Sequence, residues 1–220
     1  MKRLLRVDSS ITQGNSITRQ LSDHFVSRWL NHHPDTNVET LDLVKHQLPH
    51  FDNDSLVGMS LSPQIRTQAM QAASERRERL ITQLERADIL VIGCPMYNFT
   101  IPTQLKAWLD HVTLVGRTFR YTGPNRPEGL VVGKKVLVIA ARGGDYSAPP
   151  VSSWDFQEPL LRTWLGFLGL VDLHFVRAEG LALDPARVPE ILKRAEEHMV
   201  ELLEHKLRYA PADITVDSAS

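Results

Sequence analysis

The chain has 220 residues, of which 42% are hydrophobic and 23% are charged, a composition typical of a globular protein and not of a disordered chain. Its 25 Lys and Arg residues balance 26 Asp and Glu residues, so bulk charge predicts neither a nucleic-acid partner nor an anionic membrane partner. Cys94 is the only cysteine, which excludes an internal disulfide and a cysteine-only metal site.

The chain shows no targeting or membrane signal. Residues 1–8 turn charged too early to supply the apolar region of a secretion signal. No run reaches the roughly 18 apolar residues that a membrane span needs. The nine histidines lack metal-ligand spacing, so no metal site is predicted. We therefore expect a cytoplasmic protein with no membrane partner.

The first half of the chain alternates short apolar stretches with amphipathic segments. Ile17, Leu21, Phe25 and Trp29 recur every fourth residue, which predicts a helix that Pro34 closes. The predicted elements are a strand over 4–7, a helix from 16, a strand over 38–44, a loop over 49–61 and a helix opened by Ser62 as N-cap and Pro63 at its first position.

The second half continues this alternation. Residues 89–94 are continuously apolar, as is typical of a central parallel strand covered on both faces. The predicted elements are a strand over 89–94, a helix from about 102, a hairpin with arms 118–122 and 130–132, a strand over 136–141, a helix around 160–168, a strand over 171–176 and a long helix capped at 184–185.

Alternating strands and helices predict an α/β fold with a parallel sheet and helices on both faces. Five main strands fit a flavodoxin-like, doubly wound sheet in a three-layer α/β/α arrangement. Ligands of such sheets bind beyond the carboxyl ends of the strands, where the strand order reverses. We expect one domain over residues 1–210 and a frayed tail over 211–220.

The loop after the first strand, residues 9–18, combines hydroxyl side chains, a flexible glycine and the N–H groups of a helix N-terminus. These groups together suit a phosphate. Capping of the helix by Asn15 or Ser16 explains the same residues without a ligand. Both interpretations stay open at this point.

The loop after the third strand, residues 95–102, places Tyr97 and Phe99 on either side of Asn98. Flat apolar groups beside a hydrogen-bonding amide suit a planar, heteroatom-edged ring such as isoalloxazine. A turn capped by aromatic residues is the structural alternative.

The loop after the fourth strand, residues 141–144, contains the adjacent glycines Gly143 and Gly144. Glycines let backbone N–H groups approach a ligand closely, where they could stabilise negative charge on a reduced flavin. A Gly-Gly pair is also a common turn.

Several segments together resemble one family, in order and over nearly the whole chain. They are Ser9-Ser10 with Ser16-Ile17-Thr18, Pro95-Met96-Tyr97-Asn98-Phe99, the stretch 102–110, Thr118-Phe119-Arg120-Tyr121-Thr122, Arg142-Gly143-Gly144 and Leu165-Gly166-Phe167-Leu168-Gly169. This pattern is similar to that of the bacterial FMN-dependent NADH-azoreductases, a family also described as NADH:quinone oxidoreductases.

The resemblance implies a homodimer with one FMN in each subunit. It implies an enzyme that moves two electrons from NADH or NADPH to a quinone or azo compound by a ping-pong mechanism. The implied phosphate ligands are Ser10, Ser16, Ile17 and Thr18; the implied isoalloxazine contacts are Met96, Tyr97, Asn98 and Phe99; the implied pyrimidine-side contacts are Ala141, Arg142, Gly143 and Gly144. The family often has serine where Ala141 and Thr18 stand.

Hydride transfer to a flavin requires no side chain as nucleophile or base, so no catalytic residue is assigned. One alternative is an electron carrier of the flavodoxin type, which shares the fold and the cofactor. A serine hydrolase using Ser16 is a second alternative, although the final glycine of a nucleophile elbow is missing from residues 14–18.

Overall fold

The computed structural model describes residues 1–207. In that range the strands are β1 (Arg3–Asp8), β2 (Asn37–Asp42), β3 (Ile89–Pro95), β4 (Phe119–Tyr121), β5 (Pro127–Gly129), β6 (Lys135–Ala141) and β7 (Asp172–Ala178). The α-helices are α1 (Ile17–His32), α2 (Asn53–Ser60), α3 (Gln68–Arg86), α4 (Thr103–Val112), α5 (Glu158–Phe167) and α6 (Val188–His205). Short 3₁₀ turns cover Pro63–Ile65, Val151–Trp154 and Pro185–Arg187.

The main sheet has five strands in the order β2-β1-β3-β6-β7, all parallel. This confirms the predicted flavodoxin-like topology. The chain moves outward from β1 to β2 and then crosses to β3 on the other side of β1, so the order reverses between β1 and β3. The carboxyl ends of these two strands therefore form the expected ligand edge.

Helices cover both faces of the sheet because its central strands are apolar on both sides. In β3, Leu90 and Ile92 pack with α3, α4 and α5, whereas Ile89 and Val91 pack with α1 and α6. Side chains of a strand alternate between faces, so one continuous apolar run serves two cores. The buried Trp108 of α4 belongs to the first core.

The loop predicted over 49–61 is wrong, because α2 lies within it. Asp52 caps this helix, its carboxylate accepting from the Ser55 amide at 2.8 Å. Gly58 lies against α3, where an added Cβ would come within 3.2 Å of the Met70 Cβ. Close packing on α3 thus outweighs the poor helix propensity of the segment.

The start predicted for the following helix is also wrong. Ser62 and Pro63 open only a 3₁₀ turn, because Arg66 has an extended backbone (φ −72°, ψ 140°) that interrupts helical geometry. Thr67 provides the actual N-cap, its hydroxyl accepting from the Met70 amide at 3.2 Å. Asp184 likewise caps a 3₁₀ turn, and α6 begins at Val188.

The hairpin forms, but its second arm is β5 and not residues 130–132. Gly129 of β5 lies against Gly169, where an added Cβ would come within 2.0 Å of the Gly169 nitrogen. The amide of Val131 instead donates to the Leu168 carbonyl at 2.9 Å. This close approach to the end of α5, and not side-chain alternation, determines which residues pair with β4.

The helices of residues 1–207 include none with the length and apolar character needed to cross a membrane. The tail predicted over 211–220 lies outside the described residues.

Candidate functional site

Three loops follow the carboxyl ends of β1, β3 and β6 at one edge of the sheet. We call residues 9–16 the first loop, 96–102 the second loop and 142–144 the third loop. The amide of Met96 donates to the Ala141 carbonyl at 2.8 Å, which joins the second loop to the end of β6. The sequence predicted that these loops meet, because parallel strands bring their carboxyl ends together.

The first loop presents a buried group of hydroxyls. Ser10, Ser16 and Thr18 are 1%, 4% and 1% exposed. Ser16 is the N-cap of α1: its Oγ accepts from the Arg19 amide at 3.3 Å and lies 3.2 Å from the Thr18 hydroxyl. Ile17 is the first residue of α1, where the backbone N–H has no partner within the helix. Capping and anion binding are therefore compatible in this loop.

A charge network beneath the first loop holds it in place. The Arg19 guanidinium donates to both carboxylate oxygens of Asp42, at 2.8 and 3.0 Å, and to the Ser10 carbonyl at 3.0 Å. Arg19 also lies 3.3 Å from Asp8 at the end of β1. Sequence reasoning missed this network, since its members are far apart in the chain and no local pattern marks them.

The same network sets the ionisation of Asp42. Burial alone would raise the pKa of Asp42, but hydrogen bonds from Arg19 and from the amides of Val44 and Lys45 lower it to about 2. The carboxylate therefore stays charged at neutral pH and keeps Arg19 against the Ser10 carbonyl.

The second loop contains a tight turn with an unusual backbone. Tyr97 and Thr100 exchange backbone hydrogen bonds of 3.0 and 3.1 Å. Between them, Asn98 and Phe99 both have positive φ angles, 49° and 71°. Asparagine tolerates the left-handed region, whereas phenylalanine there costs roughly 1–2 kcal/mol. Such local strain is concentrated at ligand sites.

The side chains of this turn face two directions. The Tyr97 hydroxyl lies 3.4 Å from the Ser10 Oγ and 3.3 Å from the Ile11 amide nitrogen, so it contacts the first loop. Phe99 is 44% exposed and meets Trp154 and Tyr146 edge to face, with ring centroids 5.8 and 6.5 Å apart. The sequence did not identify Tyr146 and Trp154 as neighbours of the site, because both lie in an irregular segment after β6.

A cavity of about 600 Å³ lies beside the second loop. This volume is within the range of small-molecule and cofactor sites, which is about 300–1,000 Å³. The lining is mainly apolar with a few polar groups: Ile11, Met96, Tyr97, Asn98, Thr100 and Pro102 are among its residues.

The third loop offers backbone donors. The carbonyls of Arg142 and Gly143 accept from the amides of Leu181 and Ala182, at 3.2 and 2.9 Å. The N–H and C=O groups of a trans peptide point in opposite directions, so the amides of Gly143 and Gly144 point away from that segment. The expected contact of these amides with a ligand stays a prediction. Ala141 lies at the end of β6 and is 8% exposed.

The Arg142 side chain is held inside the protein, with 2% of its surface exposed. Its Nε donates to the side-chain Oε1 of Gln157 at 2.8 Å, and its Nη1 contacts Glu179 and Asp155 at 2.9 and 3.0 Å. Gln157 in turn donates to the Cys94 carbonyl at 2.9 Å. The guanidinium is therefore used to fix the third loop against neighbouring segments.

Other reactive groups do not form a second chemical centre at this edge. Burial raises the pKa of the Cys94 thiol to about 12, so it is protonated at neutral pH. The contacts of the Ser16 hydroxyl are with the Arg19 amide and Thr18, and no imidazole is among them in residues 1–207. In the same range, no cluster of His, Cys, Asp and Glu could hold a metal ion.

The residues present fit flavin mononucleotide. A buried hydroxyl cluster at a helix N-terminus suits a phosphate dianion, which prefers charge-assisted donors. Aromatic and amide groups border the adjoining cavity, as a planar ring with polar edges requires. The donors and the cavity share one sheet edge and are linked through Tyr97.

The chain matches known proteins over most of its length. A family model described as "Flavodoxin-like fold" matches residues 2–203. The FMN-dependent NADH:quinone oxidoreductase of Azotobacter vinelandii is 44% identical over 202 residues, covering 92% of this chain and 100% of the relative. The protein of the same name from Acidovorax ebreus is 46% identical over 182 residues, covering 82% and 84%.

Solved structures of two azoreductases have the same fold as this chain. An azoreductase from Bacillus anthracis superposes with a TM-score of 0.86 at 28% identity, covering 92% of this chain and 98% of the other. An FMN-dependent NADH-azoreductase from the same species, in complex with FMN, gives a TM-score of 0.84 at 26% identity, covering 94% and 100%.

By fold and site architecture the chain falls in the class of flavodoxin-like proteins. Within that class it belongs to the family of FMN-dependent NADH:quinone oxidoreductases. The family resemblance seen in the sequence is therefore confirmed.

Proposed function

We propose that this protein is an FMN-dependent oxidoreductase that transfers two electrons from NADH or NADPH to quinones and azo compounds. The observation that carries the proposal is the meeting of the buried hydroxyl cluster of the first loop with the aromatic turn of the second loop beside a 600 Å³ cavity. Membership of the family supports it independently.

The first loop would hold the FMN phosphate. The hydroxyls of Ser16 and Thr18 lie 3.2 Å apart at the start of α1, and Ser10 is buried in the same loop. The helix dipole favours an anion there. Arg19 supports this arrangement from below through the Ser10 carbonyl. Little reorganisation is needed on binding because the loop is already ordered by these contacts.

The second and third loops would hold the ring. Met96, Tyr97 and Asn98, which border the cavity, and the adjacent Phe99 would line it. The amides of Gly143 and Gly144 would stabilise negative charge near its polar edge. FMN, when bound, supplies the redox chemistry by accepting a hydride from the nicotinamide and passing two electrons to the acceptor. The protein positions the reactants and shields them from water.

Donor and acceptor would bind one after the other in the same cavity, which gives the ping-pong mechanism. Phe99, Trp154 and Phe156 are 44%, 50% and 59% exposed, and the latter two contact Phe99 in the second loop. Exposed aromatic residues in one patch are typical of a surface that a substrate or a second subunit covers. We propose a cytoplasmic homodimer whose contact surface adjoins the site.

Steady-state kinetics of the FMN-loaded protein test the proposal. We expect one NADH consumed for each benzoquinone reduced and two for each azo bond cleaved, with rates that disappear when FMN is removed. Parallel lines in double-reciprocal plots support ping-pong, whereas intersecting lines contradict that part alone. Failure to oxidise either nicotinamide with any acceptor would contradict the proposal and favour an electron carrier. Sedimentation velocity tests the dimer separately.

A further inference from the structure

We propose that a cleft between α2 and α3, apart from the three loops, binds a small organic carboxylate through Arg66 and Arg77. The cleft has a volume of about 390 Å³ and is bordered by Met59, Arg66, Ser74, Arg77 and Leu114. The inference does not depend on flavin chemistry and stands or falls separately from the proposed function.

Arg77 is a buried cation without an acidic partner. It is 2% exposed, and among residues 1–207 no carboxylate oxygen lies within 4.0 Å of its guanidinium. Its Nη2 donates to the Ser55 carbonyl at 2.8 Å, while its Nε has no hydrogen-bond partner in that range. Arginine is almost never fully buried unless it is paired, because desolvation of a charge is costly. The Phe51 ring lies 5.7 Å from the guanidinium carbon and the Glu78 charge acts at longer range, so an anionic ligand in the cleft would supply the direct partner that Arg77 lacks among the described residues.

A second guanidinium borders the same cleft. Arg66 donates from Nε to the Leu61 carbonyl at 3.1 Å and from Nη1 to the Ser74 hydroxyl at 2.8 Å. Ser74, having accepted this bond, keeps its own O–H to donate to a ligand. Burial, and secondly the neighbouring Arg66 charge, lower the pKa of Arg77 against the opposing effect of Glu78.

One of the two acidic residues of the cleft is paired with a cation outside its lining. Glu78 pairs with Arg117 at 2.7 Å, and Glu75 accepts from the Gln71 amide at 3.0 Å. Arg79 adds a third positive charge to the lining. The lining thus holds three arginines against two glutamates, of which Glu78 is paired with Arg117 and Glu75 keeps its charge.

The lining of the cleft favours an organic anion, and we choose a carboxylate as its simplest form. Guanidinium groups bind carboxylates through two parallel hydrogen bonds, and two of them can hold one carboxylate from different sides. Met59 and Leu114 supply apolar surface for an organic group attached to it. The volume is large enough for an aromatic or short aliphatic acid and lies in the range of small-molecule sites.

Calorimetric titration of the FMN-loaded protein with benzoate, at constant ionic strength, tests this site. We expect saturable binding that leaves the visible flavin spectrum unchanged, and binding of neutral benzamide at least about tenfold weaker. Arg66→Gln should weaken benzoate binding by roughly tenfold, since it removes charge-assisted hydrogen bonds. Arg28→Gln, an exposed position on α1, is the matched control and should bind as the wild type does.

The conservative variant Arg77→Lys tests the role of Arg77, because lysine keeps the charge but lacks the paired donors of a guanidinium. Circular dichroism checks that the variant folds. Weaker benzoate binding in this variant with an intact spectrum supports the site. Absence of benzoate binding, equal binding of benzamide, or binding unaffected by Arg66→Gln would overturn the proposal. So would sulfate binding as tight as benzoate, or benzoate binding that perturbs the flavin spectrum.

Discussion

The phenol oxygen of Tyr97 lies 3.4 Å from the Oγ of Ser10, and this contact connects the turn after β3 with the loop after β1. The same oxygen lies 3.3 Å from the Ile11 amide nitrogen. One side chain thus relates the position of the aromatic turn to that of the hydroxyl cluster. The two parts of the site cannot shift independently without losing it.

Tyr97→Phe removes this link and keeps the ring. Both contacts are long, so we expect a modest effect: an FMN dissociation constant about three- to tenfold higher. Fluorescence titration of FMN into the apoprotein measures it. Tyr121→Phe, which removes an exposed hydroxyl on β4, is the control and should leave FMN affinity unchanged. Equal affinity in wild type and Tyr97→Phe would show that the link plays no part in cofactor binding.

Ser10→Ala distinguishes phosphate binding from a general role in folding. We expect the FMN dissociation constant to rise about tenfold, because a hydrogen bond to a charged group is lost. Riboflavin lacks the phosphate, so its affinity should stay the same in this variant. Titrations with both flavins give the ratio of the FMN and riboflavin dissociation constants directly. Ser27→Ala, at an exposed position on α1, serves as the control. A parallel loss of affinity for both flavins would place the effect elsewhere.

Asn98 combines a special backbone conformation with a side-chain amide, and two substitutions separate them. Asn98→Ala should lose about 1 kcal/mol of stability, since alanine resists the positive φ of 49°, whereas Asn98→Gly keeps that freedom. Both variants lack the amide, so both should bind FMN more weakly or be reduced by NADH more slowly. Urea unfolding and stopped-flow reduction measure the two effects. Wild-type FMN affinity and reduction rate in Asn98→Gly would exclude a role for the amide.

Asp42 makes stability depend on pH in the acid range. Folding lowers its pKa from 3.8 to about 2, so its stabilising contribution is complete above 3.8 and is lost as the pH falls through 2. That contribution is roughly 2 kcal/mol at neutral pH.

Asp42→Asn should therefore show a smaller fall in the free energy of unfolding across this interval than the wild type does. Urea unfolding at a series of pH values measures the difference. Asp35→Asn, at an exposed position, should keep the wild-type pH profile. Identical profiles for wild type and Asp42→Asn would contradict the proposed role of the Arg19–Asp42 pair.

The sheet and its main helices could be predicted because β3 and β6 are continuously apolar, whereas apolar residues recur every fourth position in α1. The α2 helix could not, since it is short, contains Gly58 and is stabilised by contact with α3. The one local indication of this helix is Asp52, whose carboxylate accepts from the Ser55 amide three residues later. The prediction of the second hairpin arm was wrong for a similar reason. A backbone contact between Gly129 and Gly169 determines which residues form that arm.

The position of the site could be predicted from topology, and its residue types from the loops themselves. The ion pairs that hold the loops in place could not be predicted. Arg19 meets Asp42, and Arg142 meets Asp155 and Glu179, only after the chain has folded. Sequence spacing contains no periodic signal for such pairs. The contact of Arg142 with the pyrimidine side, which the family resemblance implied, stays a prediction, and its side chain bonds within the protein.

The most direct test of the proposed function is the anaerobic visible spectrum of the FMN-reconstituted protein, recorded before and after addition of NADH. We expect the bound flavin to bleach at once and to recover when benzoquinone is added. A flavin that neither NADH nor NADPH bleaches, or a protein that cannot be reconstituted with FMN, would contradict the proposal.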